Sequence, residues 1–165
     1  MINKLICLVI LVISLAGCAA TYVQPVDGPT ATLLIPKYSR EFSLASIISG
    51  GDIMVARKEK DGCGNFEVIE ISDTDDERIP ISVKVGQDIF ISIDRYDGNR
   101  SCNVIAAFMP EAGVSYDVKS SFTDKWCRVR IINRDSTNMD RRVGLKKGYT
   151  SSLDGFRVCD SKDKL

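Results

Sequence analysis

The residues with most chemistry in this chain are its cysteines. There are six of them, and no histidine. Cys63, Cys102, Cys127 and Cys159 are spread through the body of the sequence, while Cys7 and Cys18 belong to its apolar beginning. Without histidine, neither a Ser-His-Asp nor a Cys-His arrangement can activate a nucleophile, and the common imidazole metal sites are excluded. No two of the four body cysteines have C-x-x-C spacing, so zinc is not expected. The densest carboxylates, Asp73, Asp75, Asp76 and Glu77, lack the glycine and glutamate spacing of an EF-hand and read as a solvated loop. Asp94, Asp97 and Asn99 read as the surroundings of a hairpin turn. No glycine pattern follows a strand and opens a helix, so no phosphate loop is indicated. These absences point to a chain without cofactor or metal and to a non-enzymatic role. A carboxylate pair or a Ser/Lys pair in a cleft is the enzymatic alternative, and it ranks last.

The start of the chain supplies the context for the thiols. Met1 to Lys4 carries one positive charge, and Leu5 to Gly17 is apolar apart from Ser14. This is the layout of a secretory signal, and at thirteen residues the run is shorter than the roughly 20 that a spanning helix needs. Leu15-Ala16-Gly17-Cys18 resembles the lipobox of bacterial lipoproteins. The resemblance implies that residues 1–17 are removed. It also implies that Cys18 becomes a lipidated N-terminus, with a thioether-linked diacylglycerol and an N-acyl chain such as palmitate. At about 0.8 kcal/mol per buried methylene, several acyl chains hold a protein on a membrane essentially permanently. Ala19, rather than aspartate, follows the cysteine, which in Gram-negative lipoproteins implies the outer membrane, on its periplasmic side. In such an oxidising compartment the four remaining cysteines read as two disulfides.

Removing 17 residues from 165 leaves 148, the size of one ordinary domain. Residues 18–29 (CAATYVQPVDGP) are expected to be the lipidated cysteine and a flexible tether, because Pro25, Gly28 and Pro29 discourage regular structure. From Thr30 to about residue 160 the text is that of strands. Ile81, Val83 and Val85 alternate with Ser82 and Lys84; Ile89, Ile91 and Ile93 share one face in their turn, as do Cys102, Val104, Ala106 and Phe108, then Val114, Tyr116 and Val118, then Cys127, Val129 and Ile131. A period of two marks half-buried strands. Gly50-Gly51-Asp52, Gly86-Gln87, Asp97-Gly98-Asn99 and Met109 to Gly113 supply turns. The expected fold is all-β, an antiparallel β-sandwich of about 7–9 strands, with a polar tail at 161–165. Phe108-x-Pro110-x-x-Gly113-x-x-Tyr116-x-Val118 resembles the corner of immunoglobulin-like and prealbumin-like sandwiches. The resemblance implies that the Tyr116 hydroxyl bonds back to the turn's backbone.

Strand order bears on the disulfides. If residues 101–109, 114–121 and 126–133 form a meander, Cys102 and Cys127 stand two strand spacings apart, about 9.6 Å, beyond the reach of one bridge. That leaves two connectivities, of which Cys63–Cys102 with Cys127–Cys159 is preferred, since the last strand around Phe156 to Cys159 could then close beside 126–133. A Greek-key winding removes the argument.

Basic and acidic residues balance at 22 each, so no global field points to nucleic acid. The halves differ: Asp52 to Asp97 holds twelve acidic and six basic residues, Lys125 to Lys147 eight basic and two acidic. The basic stretch reads as a solvated face or as a patch for anionic lipid headgroups or glycan. Strict alternation puts Trp126, the sole tryptophan, on the outward face with Arg128 and Arg130. An aromatic beside two arginines either covers the sandwich rim or anchors an interface. The expected function is a membrane-anchored envelope lipoprotein whose module binds an envelope protein or cell-wall component through Trp126, Arg128 and Arg130. A small inhibitor of a hydrolase, acting through a loop at Asp73–Arg78 or Asn133–Arg142, is the alternative.

Overall fold

The computed structural model describes residues 20–38, 41–43, 46–71, 77–98, 100–123, 126–136, 143–145, 149–151 and 157–160. The expected signal segment, Cys18 and the tail at 161–165 lie outside the described residues. Those described form an antiparallel β-sandwich. Its strands are β1 (Thr30–Pro36), β2 (Glu41–Ser43), β3 (Ser46–Arg57), β4 (Cys63–Asn65), β5 (Glu67–Val68), β6 (Arg78–Lys84), β7 (Ile89–Asp97), β8 (Arg100–Phe108), β9 (Ser115–Phe122), β10 (Cys127–Asn133), β11 (Tyr149–Ser151) and β12 (Arg157–Asp160). Seven of them (β1, β3 and β6 to β10) have seven residues or more, and the rest are short pieces.

One sheet has the order β10-β9-β1-β6, the other β2-β3-β7-β8 with β5 beside β3. Among the described strands β1 and β9 pair in parallel and the other pairs are antiparallel. Alternation decides what lies between the sheets. Ala31, Leu33 and Ile35 from β1, Ile81 and Val83 from β6, and Val118, Val129 and Ile131 from β9 and β10 meet Ile53, Val55, Ile89, Ile91, Ile93, Ala106 and Phe108 of the other sheet. Burying one such aliphatic side chain contributes about 1.5–3 kcal/mol.

The corner behaves as its pattern implies. Gly113 has φ +75°, open to glycine without a Cβ. The Tyr116 hydroxyl accepts the Glu111 N–H at 3.0 Å, and the Tyr116 ring packs edge-on against Phe108 with centroids 5.0 Å apart. Burial pushes the Tyr116 phenol up from its ordinary pKa.

A third, small sheet, β11-β12-β4, covers part of the outer face of β3 and β7. Phe66 and Val158 there bury a second cluster with Ala56, Phe90 and Ala107. The approach is close: a Cβ on Gly64 would stand 2.5 Å from the Arg57 carbonyl oxygen.

Five expectations are corrected. Gly50-Gly51-Asp52 is not a turn; β3 runs through it, and Gly51 serves instead where Tyr38 and Arg95 crowd the strand. The stretches ending at Phe108 and beginning at Ser115 do not form a hairpin within one sheet. The turn between them carries the chain from the edge of one sheet to the middle of the other, so β8 and β10 face each other across the sandwich. The bridges are therefore Cys102–Cys127, with Cα atoms 6.3 Å apart, and Cys63–Cys159, and not Cys63–Cys102 with Cys127–Cys159. The final strand pairs with β4 and β11, Cys159 standing opposite Cys63, rather than beside β10.

The fifth is the tether. From Ala20 the chain is docked, not free. The Val68 N–H donates to the Ala20 carbonyl and the Tyr22 N–H to the Val68 carbonyl, both at 2.8 Å. Tyr22 is buried in the main core, and its hydroxyl donates to the Ser82 carbonyl at 2.8 Å. Gln24 accepts the Ser82 N–H at 2.9 Å. An apolar ring with a polar tip suits this site, where the interior meets an unpaired strand edge. Residues 20–24 thus close one side of the sandwich, between β5 and β6. The Cys102–Cys127 bridge closes the other, between β8 and β10.

Candidate binding site at the arginine and aromatic pole

The strands give the sandwich two poles. Pro36, Asp97, Arg100, Phe122 and Cys127 end or begin strands at one of them; Arg57, Ile89, Phe108 and Ser115 do so at the other. The expected binding residues lie at the first. Val129 is buried while Arg128 and Arg130 are exposed, as alternation requires. Trp126 is 46% exposed. Its backbone is held by the β9–β10 hairpin: the Trp126 carbonyl accepts the Thr123 N–H and hydroxyl, each at 3.0 Å. The Arg128 guanidinium lies 5.1 Å from the centre of the Trp126 ring system. Such stacking fixes an otherwise mobile cation and contributes about 0.5–1 kcal/mol at an exposed site. Arg130 stands opposite Lys119 in the β9–β10 register, so two cations face each other there, with Asp117 3.4 Å from the Lys119 ammonium.

The same pole holds residues that the sequence did not single out. Ile89, Ile91 and Ile93 point inward, and Arg95 continues that alternation into the mouth between the sheets. Its guanidinium carbon is 4.7 Å from the Tyr38 ring centre and 5.6 Å from that of Phe122. Its Nε is buried without a hydrogen-bond partner among the described residues. Arg100 also approaches the Phe122 ring, at 5.4 Å from its centre, and pairs with Asp97. The Tyr38 hydroxyl is hydrogen-bonded to Ser120 Oγ. A Cβ on Gly51 would stand 3.1 Å from Tyr38 and 2.6 Å from the Asp94 carbonyl oxygen, so only glycine leaves room for this stack. An arginine continuing an inward apolar series was the available signal for Arg95. Tyr38 lies past the end of β1, where no periodicity speaks for it.

Three arginines, Arg95, Arg100 and Arg128, therefore lie over aromatic rings around the Cys102–Cys127 bridge. A guanidinium group positioned over a ring can still present paired donors to carboxylate or phosphate oxygens. The composition, tryptophan, tyrosine and arginine, is that of residues that dominate binding energies at interfaces.

Other expected sites fall elsewhere. Of the loop Asp73–Arg78 only Glu77 and Arg78 are described, and of Asn133–Arg142 only Asn133 to Ser136. Arg78 is engaged, donating to the Val118 carbonyl at 2.7 Å and lying 3.1 Å from Asp117. Asp94 stands opposite Asp52 on the outer face of β3 and β7. Burial, and then the Asp52 charge, push its carboxyl up from the ordinary value. Among the described residues no three Cys, Asp or Glu side chains converge as metal ligands would. An open depression of about 1020 Å³ lies at the opposite pole, lined by Arg57, Lys58, Glu59, Lys60, Asp88 and Met109 among others. Its charges are of both signs.

No protein-family model, characterised protein or solved structure matches the chain.

Proposed function

We propose that this chain is an envelope lipoprotein, acylated at Cys18, anchored in the outer membrane on its periplasmic side. Its sandwich is a non-enzymatic module that binds an envelope protein or cell-wall component. Leu15-Ala16-Gly17-Cys18 supports the anchor. The observation that carries the binding role is Trp126, half exposed and stacked by Arg128 on a hairpin whose base is tied to the other sheet by a disulfide. Anchoring residues of this kind lose little entropy on binding, because their geometry is set beforehand.

Crosslinking in intact cells, followed by mass spectrometry of the captured neighbours, tests this reading. Replacing Trp126, Arg128 and Arg130 together by alanine should abolish co-purification of the captured partner with the melting temperature near wild type. Undiminished co-purification removes this face from consideration. Intact mass of the mature protein tests the anchor, which requires the added mass of the acyl groups on Cys18.

A further inference from the structure

The anchor and the docked N-terminal segment together have a geometric consequence. Ala20 is already paired to Val68, and one residue, Ala19, separates it from Cys18. A residue spans at most about 3.6 Å of extended chain. The reach from Ala20 to a lipid on Cys18 is therefore at most about 10 Å, and the direction of the paired segment at Ala20 sets the end from which the chain enters the domain.

That direction is readable from the pairing. Thr21 bridges Val68 in parallel. β5 is antiparallel to β3, with Val68 opposite Met54 and Glu67 opposite Val55. Going back from Tyr22 to Ala20 thus leads toward Arg57, the end of β3. Arg57 is paired with Ile89, and Ile89 with Phe108. The chain enters the fold heading from the pole that carries Lys58 to Asp61, Gln87-Asp88 and Met109, which is also the pole of the open depression. Met109 is 51% exposed there. Trp126 and Arg128 lie at the other pole, and the nine residues of β8 that run between the two poles measure about 30 Å at 3.3 Å per residue.

We propose that the pole bearing the Lys58–Asp61 turn and Met109 rests against the bilayer to which Cys18 is anchored, so that the arginine and aromatic pole is held outward, about 30 Å away. The proposal rests on acylation of Cys18. Lysine and arginine near a phospholipid surface each contribute up to about 1 kcal/mol where the lipid is anionic. Arg57, Lys58 and Lys60 stand at that pole together with the acidic Glu59, Asp61, Glu67 and Asp88. The covalent chain, not net charge, sets the orientation. In this arrangement Trp126 and its arginines are beyond reach of their own membrane. They are left to a partner in the periplasm.

The sole tryptophan makes the test direct. The acylated protein is purified, its acylation verified by intact mass, and it is reconstituted into phosphatidylcholine vesicles with and without brominated acyl chains, which quench tryptophan at the bilayer. Trp126 emission should be the same in both. In Trp126→Phe carrying Met109→Trp, or Lys60→Trp, emission should fall at least twofold on bromination. Quenching of Trp126 itself, or no quenching of either relocated tryptophan in an acylated protein, overturns the orientation while leaving the anchor in place. A mature protein without acyl mass overturns the anchor and the orientation with it.

Discussion

The Tyr22 hydroxyl donates to the Ser82 carbonyl, joining a residue paired with one sheet to the edge strand of the other. Its ring lies in the core between them. Truncating it removes the clasp on one side of the sandwich. Tyr22→Ala should cost about 3–5 kcal/mol in chemical denaturation, the range for buried aromatics. Tyr22→Phe, which loses one hydrogen bond, should cost about 1 kcal/mol.

Burial also pushes the phenols of Tyr22 and Tyr116 up. In the unfolded chain a tyrosine ionises near pH 10. Between that point and the higher folded value the unfolded state binds fewer protons, so stability falls as pH rises. The protein should hold its stability up to about pH 10 and lose it above, with Tyr22→Phe showing a shallower alkaline loss. A stability curve flat beyond that pH contradicts the burial of both groups.

Non-reducing peptide mapping should recover Cys63 with Cys159 and Cys102 with Cys127. On the chain-entropy account, loops of 96 and 25 residues correspond to about 4.7 and 3.5 kcal/mol respectively. Cys63→Ser with Cys159→Ser should thus lower stability more than the matching pair at 102 and 127. Removing the second pair should in addition loosen the Trp126 hairpin, visible as a red shift of its emission.

Asp94 faces Asp52, and its carboxyl is pushed up by burial and by that neighbour. A raised folded pKa contributes stability below the ordinary carboxylate range and loses it as pH rises through the folded value. Asp94→Asn should therefore be more stable than wild type at pH 7, and the advantage should vanish near pH 3. A gain that is independent of pH assigns the effect to something other than ionisation.

Arg130 opposite Lys119 places two cations across one register position. Arg130→Glu should raise stability by roughly 0.2–1 kcal/mol through an opposite-charge pair. If the face serves an anionic partner, the same variant should weaken capture of that partner. A variant that is both more stable and fully competent shows that Arg130 has no part in binding.

Ile89, Ile91 and Ile93, or Val129 between Arg128 and Arg130, declare their faces because a strand's side chains alternate whatever lies around them. The corner from Phe108 to Tyr116 is equally local, its glycine, proline and tyrosine acting within nine residues. Tyr22 was hidden, since Pro25, Gly28 and Pro29 around it are the composition of a linker, and only the presence of Ser82 sixty residues away makes it a clasp. Gly50-Gly51 misled for a related reason. Glycine marks either a turn or a close approach, and the approach of Tyr38 to Gly51 comes from another strand's end.

Local chemistry and periodicity, then, were enough for the all-β class, the outward set Trp126, Arg128 and Arg130, the lack of a histidine-based reaction centre and the expectation of a lipid on Cys18. Which cysteines meet, that residues 20–24 close the sandwich, and that Arg95 lies between Tyr38 and Phe122 were decided by the fold alone. Each depends on which strand neighbours which. That order is set by long-range packing of two sheets whose inward faces are both lined mainly by aliphatic side chains.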